Sequence, residues 1–247
     1  MAPKPVTMRP LLRALLTATT VALIAAAPSA AILDGTPDTE HRYVGILVTE
    51  IQGETVPVCS GFLVSATVFV TAGHCVEDLA GGLPAFVSFD QAFTPDSQLR
   101  PGTAVPNPRF ASAGPNSHDV ALVLLDEPVT DRRYAQLPTP NRLASVPRSS
   151  ALTVVGYGAN ARHGNELDFR LVRSFGEARL VKTEKKFTHL RMSTGICFGD
   201  SGGPTLLGTS HTAVAVNSFV SNRQCAGNSF AYRLDTAEAM DFLAPYL

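Results

Sequence analysis

From Tyr43 almost to its C-terminus this chain sustains no apolar pattern of helical period for more than about ten residues. Its apolar residues fall instead in short β-branched runs: YVGILVTEI, GFLVSATVFVTAG, AFVSF, DVALVLL, LTVVGYG, HTAVAVNSFV and FAYRL. Turn-rich stretches such as TPDSQLRPG and NPRFASAGPNSH separate them. Runs of that length and composition read as strands. Nineteen glycines and eighteen prolines, spread along the sequence, supply the turns. The proline-rich stretch LPTPNRLASVPRSS, residues 137–150, reads as a connector between two strand-rich units, 32–136 and 151–235. Two packed β-barrels or sandwiches fit the count. The exception is DTAEAMDFLAPYL. There Asp235, with Glu238 three residues on, forms a variant of the capping box and predicts a helix over about 236–244, within a C-terminal segment 236–247.

The first 31 residues differ in kind. Lys4, Arg9 and Arg13 precede an apolar run from Ala14 to Pro28 and then the small residues Ser29–Ala31. The run is short for a membrane span, which needs roughly 18 residues or more, and reads as a signal peptide over residues 1–31. Cleavage after Ala31 makes Ile32 the new N-terminus. The mature chain then holds 17 basic against 21 acidic residues, for a formal charge of −4. With no basic run, it has no electrostatic footprint for nucleic acid. The expected location is extracellular, with no stable membrane association after cleavage.

Export also governs the cysteines. Four in an oxidising compartment imply disulfides, and three pairings are open. The sequence-near pairs Cys59–Cys75 and Cys197–Cys225 would close one short loop in each half. No CxxC or HxxxH spacing accompanies them, so no metal is expected.

Three short motifs carry chemistry together: TAGHC (Thr71–Cys75), HDVALVLL (His118–Leu125) and GDSGGP (Gly199–Pro204). A serine hydroxyl is a weak nucleophile near neutral pH and needs a base to take its proton. That base needs an acid to fix its tautomer, and the tetrahedral intermediate needs donors for its oxyanion. His74, Asp119 and Ser201 supply the first three parts. The N–H groups of Gly199 and Ser201 supply the donors, and glycine at 199 leaves the backbone free to turn.

In this order and at these separations the motifs resemble the trypsin/chymotrypsin family of secreted serine peptidases, over nearly all of residues 32–247. The resemblance implies an all-β fold of two six-stranded antiparallel β-barrels with a C-terminal helix and the site between the barrels. It implies His74 as general acid/base, Asp119 as its orienting acid and Ser201 as nucleophile, with Ser218 supporting the aspartate. It pairs Cys59 with Cys75 and Cys197 with Cys225. It also implies that a freed Ile32 inserts its α-amino group against Asp200. For the pocket it places uncharged Gly195 at the floor, Val220 as a narrowing wall and Phe198 at the rim. Small or medium apolar side chains before the scissile bond are therefore expected, rather than Arg or Lys. Protein or peptide substrates are the expected partners of a monomer that needs no cofactor.

Two rivals are weaker. Gly199–Gly203 also satisfies G-x-S-x-G, but the α/β-hydrolase order requires an acid and then a histidine after the serine. Only His211 follows Ser201, with no acid between. A non-catalytic binding protein on the peptidase fold would usually have lost a member of the triad, and all three are present.

Overall fold

The computed structural model describes residues 32–33, 35–111, 117–164, 166–192 and 195–247. The signal peptide expected over residues 1–31 lies outside them, as does Asp34.

A short strand β1 (Thr36–Pro37) leads into the first barrel. Its strands are β2 (Val44–Ile51), β3 (Glu54–Leu63), β4 (Val68–Thr71), β5 (Ala85–Ser88), β6 (Arg100–Val105) and β7 (Ala121–Leu125), with a single helical turn α1 (Glu77–Ala80) after β4. They close in the order β2-β3-β4-β7-β6-β5, and β5 pairs back on β2. Gln52 and Gly53, both at positive φ, make the β2–β3 turn. Such a turn suits the right-handed twist of a hairpin.

The second barrel uses β8 (Ala151–Gly156), then β11 (Ser174–Thr183), β12 (Phe187–Arg191), β13 (Pro204–Leu207), β14 (Ala213–Val220) and β15 (Asn228–Arg233). A side hairpin of β9 (Ala161–His163) and β10 (Glu166–Asp168) interrupts the sequence of strands. The ring runs β8-β11-β12-β15-β14-β13, with β13 returning to β8 and β1 added along β11. The fold is thus two closed six-stranded antiparallel barrels, as expected. The final helix α2 covers Ala237–Leu243.

Burial alternates along β11, whereas β4 is buried on both faces. Along β11, Ser174, Gly176, Ala178 and Leu180 point inwards while Glu177 and Arg179 are exposed. Closure lets each barrel bury its inner face without leaving an open edge. In the first, Phe62, Phe69, Val70 and Leu122 are fully buried, each contributing on the order of 1.5–3 kcal/mol.

One buried cation ties three parts of the chain. Arg173 donates to Asp38 at 3.0 Å, to the carbonyl of Phe89 at 3.0 Å and to the Tyr157 hydroxyl at 3.0 Å. A guanidinium that is 3% exposed requires this degree of satisfaction.

Two details differ from expectation. β6 contains Pro101 and Gly102, which read as loop, yet Gly102 lies where Leu124 passes so closely that a Cβ would sit 2.6 Å from its carbonyl. The helix cap is Thr236, whose hydroxyl accepts from the Ala239 N–H at 3.3 Å. Asp235 is already engaged, accepting from Leu143 N–H and from Arg233.

Candidate active site

β4 ends at Thr71, and a turn of 3-10 helix, Gly73–Cys75, carries His74 out of the barrel. Gly73 is required locally, because a Cβ there would lie 2.6 Å from the Phe110 ring. The disulfide Cys59–Cys75 fixes this turn to β3. Asp119 lies just before β7, whose residue Ala121 pairs with Thr71, so the two motifs arrive side by side.

Asp119 is buried and fully used. Its Oδ1 accepts the His74 backbone N–H at 2.9 Å, and both carboxylate oxygens lie 3.0 Å from His74 Nδ1. The Ser218 hydroxyl donates to Oδ2. Burial pushes the Asp119 pKa up, but the bonds and charge of His74 and the Ser218 bond outweigh it, so it lies below the ordinary value. For His74 burial opposes protonation. The Asp119 hydrogen bond and charge, with help from Glu77, overcome that and raise its pKa. A proton held on Nδ1 by the carboxylate leaves Nε2 as the basic nitrogen.

The disulfide Cys197–Cys225 anchors the serine turn. Gly199 and Gly202 adopt φ of 93° and 84°, which favour glycine. A Cβ on Gly202 would fall 2.1 Å from the Ser60 carbonyl oxygen. The N–H groups of Asp200, Gly202 and Gly203 donate to Cys197, Asn217 and Asp200 carbonyls. Among the described residues, those of Gly199 and Ser201 have no protein acceptor. The Ser201 hydroxyl donates to the Ser218 carbonyl at 3.3 Å, and Ser201 and His74 line one cleft.

Asp200 points away from this cleft and is completely buried. It accepts the N–H groups of Gly158 at 2.8 Å and Cys197 at 2.9 Å. Burial dominates those two bonds and pushes its pKa up to about 7. Ile32 is also fully buried, packed with Met192, Val154 and Gly176 in the second barrel, while Leu33 packs by Cys197 and Ala159.

The cleft beside Ser201 has a volume of about 560 Å³. Phe198, Phe219 and Val220 wall it together with Ile196, and the turn 221–223 borders it. Gly195 does not line it. A Cβ there would lie 1.7 Å from the Cys225 carbonyl oxygen, so this backbone admits no side chain.

Sequence reasoning missed several neighbours. Ser60, at the end of β3, donates to the Gly199 carbonyl at 2.7 Å and accepts the Tyr157 N–H at 2.9 Å. Phe219 stacks on Phe230 with ring centroids 4.5 Å apart. Behind Asp119, buried Lys186 donates to His118 Nε2 at 2.7 Å, and burial with that cation lowers the His118 pKa. His118 opens the motif HDVALVLL and Phe219 follows Ser218, but Ser60, Lys186 and Phe230 belong to no motif. Cys59, Cys75 and His74 crowd together as metal ligands might be grouped, but both sulfurs are spent in the disulfide.

The family model for Trypsin matches residues 33–241. The chain belongs to the trypsin family. As a member it is a serine-type endopeptidase, a hydrolase. It is 24% identical to human granzyme M over 186 residues, covering 68% of this chain and 70% of that protein. To the serine protease SP24D of Anopheles gambiae it is 28% identical over 179 residues, or 66% of this chain and 63% of that one. The trypsin-family architecture recurs in solved structures. HL collagenase superposes with a TM-score of 0.70 at 20% identity, over 87% of this chain and 97% of that one. Neuropsin, a serine protease of mouse brain, gives 0.63 at 18% identity, over 83% and 95%.

Proposed function

We propose that this trypsin-family endopeptidase works through Ser201, His74 and Asp119 and cleaves after small or medium apolar residues. The observation that carries the reading is the doubly bonded His74–Asp119 pair opening on the same cleft as Ser201. Ser201 turns from the Ser218 carbonyl to His74 Nε2 and attacks the substrate carbonyl as the imidazole takes its proton. The N–H groups of Gly199 and Ser201 hold the oxyanion. Asp119 stabilises the imidazolium, which then protonates the leaving amine, and water hydrolyses the acyl-enzyme by the same route. Asp200 and Ile32 support the site: once cleavage after Ala31 frees the Ile32 α-amino group, it pairs with the Asp200 carboxylate. Among the described residues that carboxylate has two backbone donors and no cationic partner.

Val220 and Phe198 narrow a cleft with apolar walls and no acidic residue in its lining, which favours side chains of the size of Ala, Val or Leu. The enzyme is secreted as a monomer and needs no cofactor. N-terminal sequencing of the secreted protein tests the start at Ile32. Peptide-library cleavage read by mass spectrometry, with Ser201→Ala as control, tests the rest. Cuts after Ala, Val or Leu that vanish in the control support the reading, cuts after Arg or Lys overturn the pocket assignment, and cuts surviving in the control overturn the nucleophile.

A further inference from the structure

The turn that follows Val220 is built more firmly than a plain connection needs. Asn222 closes it with its side chain, donating to the Ala226 carbonyl at 2.9 Å and accepting the Ala226 N–H at 3.2 Å. The Cys225 N–H donates to the Asn222 carbonyl at 3.2 Å, and the Ser221 hydroxyl donates to the Asn228 carbonyl at 3.2 Å. Cys225 sits at φ 54° and is held by its disulfide to Cys197, four residues from Ser201. What this braced turn presents is Arg223, exposed and bordering the same cleft as His74 and Ser201.

Arg223 differs from the other arginines of the second barrel that have been described as structural. Arg173 and Arg233 are paired to Asp38 and Asp235. Among the described residues Arg223 has no acidic partner, and the other ionisable group lining the cleft is His74. The walls are otherwise apolar, from Ile196, Phe198, Phe219 and Val220. A guanidinium is always charged and offers its donors in a planar fork matched to a carboxylate. Arg223 borders the cleft in which a docked peptide would lie, so its charge is within reach of a substrate carboxylate.

Resting on the peptidase reading above, we propose that Arg223 is a specificity determinant that selects substrates with an Asp or Glu side chain a few residues from the scissile bond. Four residues, 219–222, lie between Ser218, beside the nucleophile, and Arg223. The carboxylate is therefore recognised at a neighbouring substrate position, while the apolar wall of Val220 receives the residue next to the scissile bond. The pairing involves no covalent step: it adds charge-assisted hydrogen bonds to the docked peptide.

The test uses secreted protein carrying Ser201→Ala, so that binding is read without turnover, together with the active enzyme. Fluorescent peptides matched as Asp/Asn and Glu/Gln pairs are scanned through each position around an Ala or Val cleavage residue. At one position the acidic member should bind and be cleaved better by roughly three- to tenfold, the range of a partly screened ion pair with one added charged hydrogen bond. Arg223→Gln should bring that ratio to near one. Arg223→Glu should reverse it towards Lys, and rising salt should shrink it in the parent enzyme. Equal binding of all matched pairs, or a preference unchanged in both variants, overturns the proposal. Failure of the active enzyme to cut any peptide would sink the peptidase reading instead, while the binding arm would still decide the role of Arg223.

Discussion

Asp119 holds His74 twice, taking the backbone N–H at 2.9 Å and the ring Nδ1 at 3.0 Å on the same Oδ1. The first bond fixes where the histidine lies and the second fixes which way its ring faces. Both the position and the tautomer of the base therefore depend on one carboxylate. Substituting Asp119→Asn should lower kcat by about 10⁴-fold, because the amide permits the wrong tautomer. The parallel variants Ser201→Ala and His74→Ala should each cost on the order of 10⁶-fold. Steady-state kinetics on one peptide substrate measures all three.

The same pair sets a pH limit. As the proposed base, His74 has to be neutral to accept the serine proton, and Asp119 raises its pKa above the ordinary histidine value. The acid limb of kcat/KM should accordingly lie above about 6.5, with activity falling as pH drops through it. In Asp119→Asn the limb should move to lower pH. A limb that stayed in place would assign it to another group.

Asp200 predicts a difference between uncut and cut chains. In the uncut chain its folded pKa of about 7 exceeds that of an unfolded aspartate, so the fold prefers the protonated form. That contribution is complete below about pH 4 and is lost as pH rises to about 7, on the order of 4 kcal/mol in all. The Tm of a Ser201→Ala protein with residues retained before Ile32 should therefore fall between pH 4 and 7 through this group, and Asp200→Asn should flatten the trend. In the proposed pairing with a freed Ile32 the carboxylate stays ionised, and the loss should shift to alkaline pH, where the α-amino group deprotonates.

Gly195 offers a test of the pocket backbone. The family resemblance makes this position the floor, where an acid would be the route to Arg or Lys preference, yet the residue lies outside the cleft lining and a Cβ there would meet the Cys225 carbonyl at 1.7 Å. Gly195→Asp should cost more than about 3 kcal/mol through the clash and a buried carboxylate, without conferring cleavage after Arg. Thermal unfolding and the cleavage pattern of the variant measure both halves of this expectation.

Reducing the disulfides should separate stability from activity. Cys59–Cys75 closes 16 residues and Cys197–Cys225 closes 28, so each constrains the unfolded chain by about 3–4 kcal/mol. Only the second anchors both the serine turn and the turn of Arg223. Cys197→Ser with Cys225→Ser should lower kcat well beyond Cys59→Ser with Cys75→Ser, at temperatures where both remain folded.

What could be read in the sequence was what is written locally. TAGHC, HDVALVLL and GDSGGP each place their residue on one turn or strand end, and short apolar, β-branched runs between turn residues marked most strands. β6 escaped because Pro101 and Gly102 are turn residues unless a neighbouring strand passes as closely as Leu124 does. Asp235 was mistaken for a cap because its partners, Leu143 and Arg233, approach only in the folded chain. Ser60 carries no motif at all; its meaning comes from Gly199, 139 residues away. Arg223 likewise acquires a setting only when its turn is folded back over the cleft.

The Ser60 contact has a mechanical consequence. Its hydroxyl belongs to the first barrel but accepts the N–H of Tyr157 and donates to Gly199, both in the second. Sliding of one barrel over the other would therefore strain the turn of Gly199, whose N–H is the proposed oxyanion donor. The seam between the barrels acts as a gauge with its needle at the reacting carbonyl. Loss of turnover on heating should thus report slippage along that seam before either barrel has opened.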